Sequence, residues 1–360
     1  MAGWRIVRGM VGICGSGLLM VACVEARTPA QPRFVQSQTA LAQPTQVADR
    51  RPSQGPLVAP AVTVAAPVPD EKPLILQILP WGTAVAQVGH RRDAEAMPEG
   101  PMALAVAPSG QIAVLDQVNS RVLLLAPTGQ PLEKTQIIPL SRPTFQDIAF
   151  DPTGHLFALD RLHTPEVVGL SPGAQWSVPI AGEDLTEPAA VTGLFPAQDG
   201  VWLELTHSSL RWLAGAGGMV PQHVRRLPAR PSADGQHLIS IAVVAANQVA
   251  VSVLNANGDR LFTRKITMRQ AILGVREWGI DPQGRAIIVV ATALEQGDRS
   301  VDEHLTAVVL GADGSGDRRV ELPIPQGPEE HFRPVRLAAS GALYGLQARA
   351  QGVAVWRVQP

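Results

Sequence analysis

Short aliphatic runs broken by Gly- and Asp-bearing turns recur along this chain at a nearly fixed spacing. Residues 105–125 read Ala-Val-Ala-Pro-Ser-Gly-Gln-Ile-Ala-Val-Leu-Asp, then Gln-Val-Asn-Ser-Arg, then Val-Leu-Leu-Leu. Residues 148–170 repeat the phrase as Ile-Ala-Phe-Asp-Pro-Thr-Gly-His-Leu-Phe-Ala-Leu-Asp and end in Val167-Val168-Gly169-Leu170. Pro108 and Pro152, Gly110 and Gly154, and Asp116 and Asp160 are each 44 positions apart. A period in the forties with strand–turn–strand content predicts the blades of a β-propeller.

The turn signals continue down the chain. Gln198-Asp199-Gly200 reads as the third, Asn247-Gln248 as a weaker fourth without Gly, Asp281-Pro282-Gln283-Gly284 as the fifth and Ala339-Ser340-Gly341 as the sixth. Gly110 to Gly341 spans 231 residues over five intervals, about 46 each. The chain then ends at Pro360, after only three strands of a sixth unit, whereas Leu74 to Leu79 forms an isolated apolar strand before the first. The expected fold is all-β: a six-bladed propeller of four-stranded blades, its ring closed by that N-terminal strand pairing into the last blade. Closure of this kind removes open sheet edges. The blades are expected near 100–143, 144–186, 187–230, 231–270, 271–325 and 326–360 with 72–80, within a domain of residues 71–360.

The local chemistry of the repeat is that of turns. Gly110, Gly154 and Gly284 supply the positive φ that tight turns between first and second strands require. Asp116 and Asp160 are expected to end second strands and accept hydrogen bonds from the backbone of the following turn, and Asn119 to adopt its left-handed position. The phrase Ala105-Val106, Gly110, Ile112, Val114, Asp116, Asn119, Arg121-Val122, with a closing Gly129, resembles the NHL repeat. The preceding strand, Trp81-Gly82, Gly89 and Pro101 are similar to the lead-in of such a unit. The resemblance implies a six-bladed ring, and the NHL-type group includes metal-dependent and His-using lyases.

The N-terminus carries a separate message. Arg5 and Arg8 precede an apolar stretch from Met10 to Ala22, too short and too Gly-rich for a stable span, which needs ~20 apolar residues. It ends Leu19-Met20-Val21-Ala22-Cys23, which resembles the lipobox of bacterial lipoprotein signal peptides, with Met20 in place of the usual Leu. The resemblance implies cleavage after residue 22 and acylation of Cys23. The chain's two cysteines are Cys14 and Cys23, so the mature protein would keep one, at its first position, and no internal disulfide. Residues 23–70 are rich in Pro, Ala, Gln, Thr and Val without apolar periodicity, the composition of a disordered tether. Such a coil reaches roughly 40 Å.

Composition narrows the function classes. A formal charge of −1, falling to −3 once residues 1–22 with their two Arg are removed, lacks the cationic excess that nucleic acid demands. Hydrophobic residues make up 46% and aromatics 4%, so small aliphatic side chains must fill the core. Gly-Lys-Ser/Thr, nucleophile-elbow, CxxC and HExxH motifs are absent from the sequence, and no cofactor is expected.

Three histidines are the candidate chemistry. His163, His207 and His304 are expected between second and third strands of their blades, on one face of the ring, and His163 takes the place of Asn119 in the second copy. Three imidazoles converging there would suit zinc, or one would serve as a general base; solvated loop histidines are the plainer expectation. The acidic insertion Glu295 to Glu303 carries Glu295, Asp298, Arg299, Asp302 and Glu303 as candidate partner contacts. The functional expectation is a monomeric, lipid-anchored, extracytoplasmic module of the cell envelope, on the outer membrane or the periplasmic face. It would present its loops to a protein, peptide or glycan. The alternative is an extracytoplasmic lyase or hydrolase using the histidine face.

Overall fold

The fold is that of a computed structural model, which describes residues 72–92, 95, 97–127, 136–171, 176–180, 190–207, 209–215, 218–219, 225–295, 301–324 and 330–360. The chain divides into two units, Met1–Ala61 and Val62–Pro360, and the propeller lies in the second. The expected leader, Cys23, the tether and Gly129 lie outside the described residues.

Among the described residues, twenty-four strands form six four-stranded antiparallel sheets arranged as propeller blades. Strand β1 (Leu74–Pro80) comes first and belongs to the last blade. Blade 1 holds β2 (Ala103–Val106), β3 (Ile112–Asp116), β4 (Arg121–Leu125) and β5 (Gln136–Pro139). Blade 2 holds β6 (Asp147–Phe150), β7 (Leu156–Asp160), β8 (Glu166–Gly169) and β9 (Ser177–Pro179). Blade 3 holds β10 (Val191–Ala197), β11 (Gly200–Leu205), β12 (Ser209–Gly215) and β13 (Arg226–Leu227). Blade 4 holds β14 (Arg230–Pro231), β15 (His237–Ala245), β16 (Gln248–Asn255) and β17 (Arg260–Thr267). Blade 5 holds β18 (Ala271–Ile280), β19 (Ala286–Glu295), β20 (Val301–Leu310) and β21 (Arg318–Leu322). Blade 6 is β22 (Val335–Leu337), β23 (Leu343–Arg349) and β24 (Gly352–Val358), completed by β1, whose Leu74 to Pro80 pair antiparallel with Arg357 to Gly352. The expected closure is therefore the observed one.

One blade departs from the expected turn pattern. In blade 4 the turn between first and second strands is Ser232 to Gly235, closed by the Gly235 amide donating to the Ser232 carbonyl at 2.9 Å with Gly235 at φ +69°. Asn247-Gln248 instead joins β15 to β16, at the opposite end of the blade. The misreading has a physical cause: β14 is two residues long and carries no recognisable aliphatic run.

Ring closure is reinforced by side chains. Arg121, buried in β4, donates to the carbonyls of Thr83, Ala84 and Gln87 at 2.8–3.0 Å and to Asp116 Oδ2 at 2.8 Å. Asn119 joins Gly82 O and Asp116 Oδ2, and the Gly89 amide donates to Asp116 Oδ1 at 2.9 Å. Asp116 thus accepts from the backbone of the segment that follows β1, and from the turn after β3 only from the Asn119 side chain. The left-handed residue of that turn is Ser120 (φ 52°, ψ 52°), not Asn119, which lies in a short 3-10 turn. Asp160 does match the expectation, accepting from the amides of Leu162 and His163.

Candidate functional site

The six first strands line the propeller axis, and charged side chains from them, from β11 and from the segment before β22 fill it. Glu204, Arg230, Glu277, Arg333, Asp147 and Arg336 form one continuous ionic chain. Arg230 meets Glu204 through Nε–Oε1 at 2.6 Å and Nη2–Oε2 at 3.0 Å, and Glu277 through Nη1–Oε1 at 2.7 Å. Arg333 reaches the other oxygen of Glu277 at 2.8 Å and lies 3.9 Å from Asp147. Arg336 pairs with Asp147 and donates to the carbonyls of Leu104 and Ile148 at 3.0 and 2.7 Å. The Leu194 amide completes the ring of contacts on Asp147 at 3.0 Å. Every blade contributes, from Leu104 in blade 1 to Arg336 in blade 6. Phe195 and Trp278 floor the network, with the Arg230 guanidinium 3.3 Å from the Trp278 ring centroid.

These groups are buried, and burial sets their electrostatics. Burial pushes the Glu204 carboxyl up, but the Arg230 charge and hydrogen bonds from His207 and Arg230 outweigh it and hold it well below the usual carboxylate range. Glu277 is treated alike: burial raises it, and Arg333, Arg230 and Arg336 lower it further. Burial and the neighbouring Arg333 push Arg336 down to about 10, so it stays charged at neutral pH. Three cations face three carboxylates with their hydrogen-bonding capacity largely used inside the network. Such an arrangement braces strands; it holds no proton poised near neutrality.

The three histidines do not share a point. His163 sits in the turn after β7 of blade 2, its amide on Asp160 Oδ1 at 3.0 Å. His207 follows β11 of blade 3 at φ 55°, with Nδ1 3.3 Å from Glu204 Oε2 and its ring edge-on to Trp278. His304 lies within β20, paired with Thr292, because that strand begins at Val301 rather than Leu305. Among the described residues, no group of three His, Cys, Asp or Glu is placed to hold a metal ion. The acidic insertion is a strand extension: β19 runs to Glu295 and β20 restarts at Val301, with Asp302 paired opposite Leu294. Glu303 lies 3.7 Å from Arg276, and Asp298 and Arg299 lie outside the described residues.

Hydrophobic packing between blades is uneven, and this defines a second feature. Among the described residues five apolar clusters seal the contacts of blades 1–2, 2–3, 4–5, 5–6 and 6–1. None seals blades 3 and 4. Val249, Val251 and Val253 of β16 pack toward blade 5, so the alternation of a strand turns Ala250 and Ser252 toward blade 3. On β15 and β17 the corresponding positions are Ser240, Ala242, Thr263 and Lys265. These side chains are too small or too polar to fill the gap. Across it run the Arg230–Glu204 pair and a void of 10 Å³ between His207, Ser209, Leu210 and Trp278, room for about one water. Near the β15–β16 turn Val243 and Val244 are 53% and 49% exposed, Val243 on the blade 5 face with its partner Val249, and Leu273 of β18 in blade 5 is 51% exposed.

A third feature is a shallow groove of 300 Å³ on the ring-closing segment, between Trp81, Thr83, His90 and Asn119. Trp81 and His90 stack there with centroids 4.4 Å apart.

Sequence reasoning missed the axial network because its partners lie 26 to 189 residues apart. The available signal was a single charge inside an otherwise apolar strand: Asp147 before Ile-Ala-Phe, Glu204 within Trp-Leu-Glu-Leu, and Arg336 between Val335 and Leu337.

No protein-family model matches the sequence, and no curated protein matches it. Solved structures align with it at low identity. Hydrazine synthase of Kuenenia stuttgartiensis aligns over 71% of this chain and 76% of its own at 15% identity, with a TM-score of 0.44. A calcium-binding regucalcin from Agrobacterium tumefaciens aligns over 81% and 95% at 12% identity, with a TM-score of 0.43. YCF48, solved bound to D1 peptide, aligns over 83% and 98% at 9% identity, with a TM-score of 0.41. The fold itself rests on the pairing of its strands, which makes it a six-bladed β-propeller.

Proposed function

We propose that the protein is a lipid-anchored, extracytoplasmic binding module of the cell envelope, built from NHL-type blades, that holds a protein, peptide or glycan partner on its ring. The leader-like residues 1–22, Cys23 and the Pro/Ala-rich stretch to residue 70 support the anchor and the tether. The 44-residue repeat of Pro108, Gly110 and Asp116 supports the NHL assignment. The observation that carries the binding role is the contrast between interfaces: the axis is closed by mutually paired charges, five blade contacts are closed by apolar clusters, the contact of blades 3 and 4 has no such cluster, and the β15–β16 end of blade 4 carries exposed aliphatic side chains.

The test is retention. Envelope extract passed over the immobilised full chain should leave a defined partner bound to the wild type and not to Ala242→Arg, which fills the seam. Equal retention by both chains, or none by either, would overturn the reading.

A further inference from the structure

Strand β15 outruns its inner neighbour. In the other blades the first strand runs beside the second for three to eight paired positions; in blade 4 β14 pairs only Arg230 with Ile239 and Pro231 with Leu238. From Ser240 to Ala245 no strand among the described residues covers the axis-side edge of β15. The Ser232 amide donates to the His237 carbonyl at 2.8 Å, so the odd-numbered residues of β15 aim their backbone groups at that edge. Ile241 and Val243 therefore present N–H and C=O groups to an empty strand position. The register irregularity between Val243 and Ala245 ends the usable edge. Native sheets cover, shorten or charge such edges; this one reads Ser-Ile-Ala-Val-Val-Ala, without a charge or a proline.

We infer that this edge takes an extended peptide segment by strand addition, the peptide supplying the missing inner strand of blade 4. The inference rests on the binding-module reading and specifies its partner chemistry. Backbone groups in need of a ladder select a strand, and a row of about six residues, ~20 Å long, sets its length. Every first strand in the ring runs antiparallel to its second strand, so the peptide runs antiparallel to β15. Charge narrows it further. Arg264, Lys265 and Arg269 lie at the same end of blade 4, and neither Lys265 nor Arg269 has an ion pair among the described residues. Between His237 and Gln270 the sole acid is Asp259, in the turn at the opposite end. The partner is a peptide alternating β-branched or aromatic residues and carrying carboxylates.

The experiment selects decapeptides from a random displayed library on the immobilised full chain, then measures binding of the synthetic peptides. Selected sequences should be acidic and β-prone, and hydrogen exchange at Ile241 and Val243 should slow when they bind. Val243→Pro removes an edge N–H without touching the β16 ladder and should weaken binding at least about tenfold. Alternate N-methylation of the peptide backbone should do the same while leaving the protein unaltered, so a folding defect in the variant cannot mimic the result. Peptides that bind equally well after both changes, or that protect another surface, overturn strand addition and leave the binding module standing. Failure to select any peptide, with seam-dependent retention of an envelope partner intact, overturns the peptide class alone. Loss of both overturns both readings.

Discussion

Arg230 grips Glu204 with two of its nitrogens, Nε–Oε1 at 2.6 Å and Nη2–Oε2 at 3.0 Å, and so joins blades 4 and 3 across the contact that lacks an apolar cluster. The same guanidinium continues to Glu277 of blade 5. An ion pair takes the place of a hydrophobic weld, and a buried pair is far more costly to break than to replace whole.

Glu204→Gln should therefore destabilise the propeller by about 3 kcal/mol, because it leaves Arg230 half-paired in the interior. Urea unfolding of the variant against wild type measures it. A change below about 0.5 kcal/mol would mean that water reaches the pair.

Acid should act through the same groups. Glu204 and Glu277 have folded pKa values below their unfolded ones, so their contribution is complete above the ordinary carboxylate value of about 4.3 and is lost as pH falls from there toward the folded values. Stability should hold level from neutrality to about pH 5 and then fall. In Glu204→Gln the fall should be shallower, read from denaturation midpoints across pH.

The open seam predicts unequal tolerance to added bulk. Ala307, buried between blades 5 and 6, should cost about 1–3 kcal/mol when changed to Leu, whereas Ala250→Leu at the seam should cost less than about 0.5 kcal/mol. Comparable losses at both positions would show that blades 3 and 4 pack as tightly as the rest.

Ring closure depends on the shape of the Arg121 side chain as well as its charge. Arg121→Lys cannot reach Thr83 O, Ala84 O, Gln87 O and Asp116 together, and should cost about 2 kcal/mol with faster hydrogen exchange over residues 82–89. Unchanged exchange in that segment would assign its hold to β1 pairing alone.

For the anchor, a fatty-acid analogue fed to cells should label the wild type and spare Cys23→Ser. Equal labelling of the two chains would remove the lipid anchor from the proposed function.

Much of the architecture was legible along the chain because its causes are local. Gly110, Gly154 and Gly284 sit where turns need positive φ, at +83°, +92° and +76°, and Leu74 to Leu79 is an aliphatic strand with no neighbour in sequence to pair with. The one-sided packing of blade 4 was also written in Val-Ala-Val-Ser-Val at 249–253, against Ile-Ile-Val-Val at 287–290, where every side chain is buried. The roles of Asp116 and Asn119 were not legible in the same way, because their partners, Gly82 and Gly89, arrive from the other end of the ring.

The sequence by itself determined most of the strands, five of the six turns between first and second strands, and the number of blades. Each follows from alternation and from backbone preference within a few residues. Only the tertiary structure decided that the axis is filled by paired charges, that the three histidines do not converge, and that one seam and the edge of β15 stay open. Those outcomes depend on which side chains meet across tens to hundreds of residues, where burial turns a lone charge into a brace and the absence of a two-residue strand's continuation into an unpaired edge.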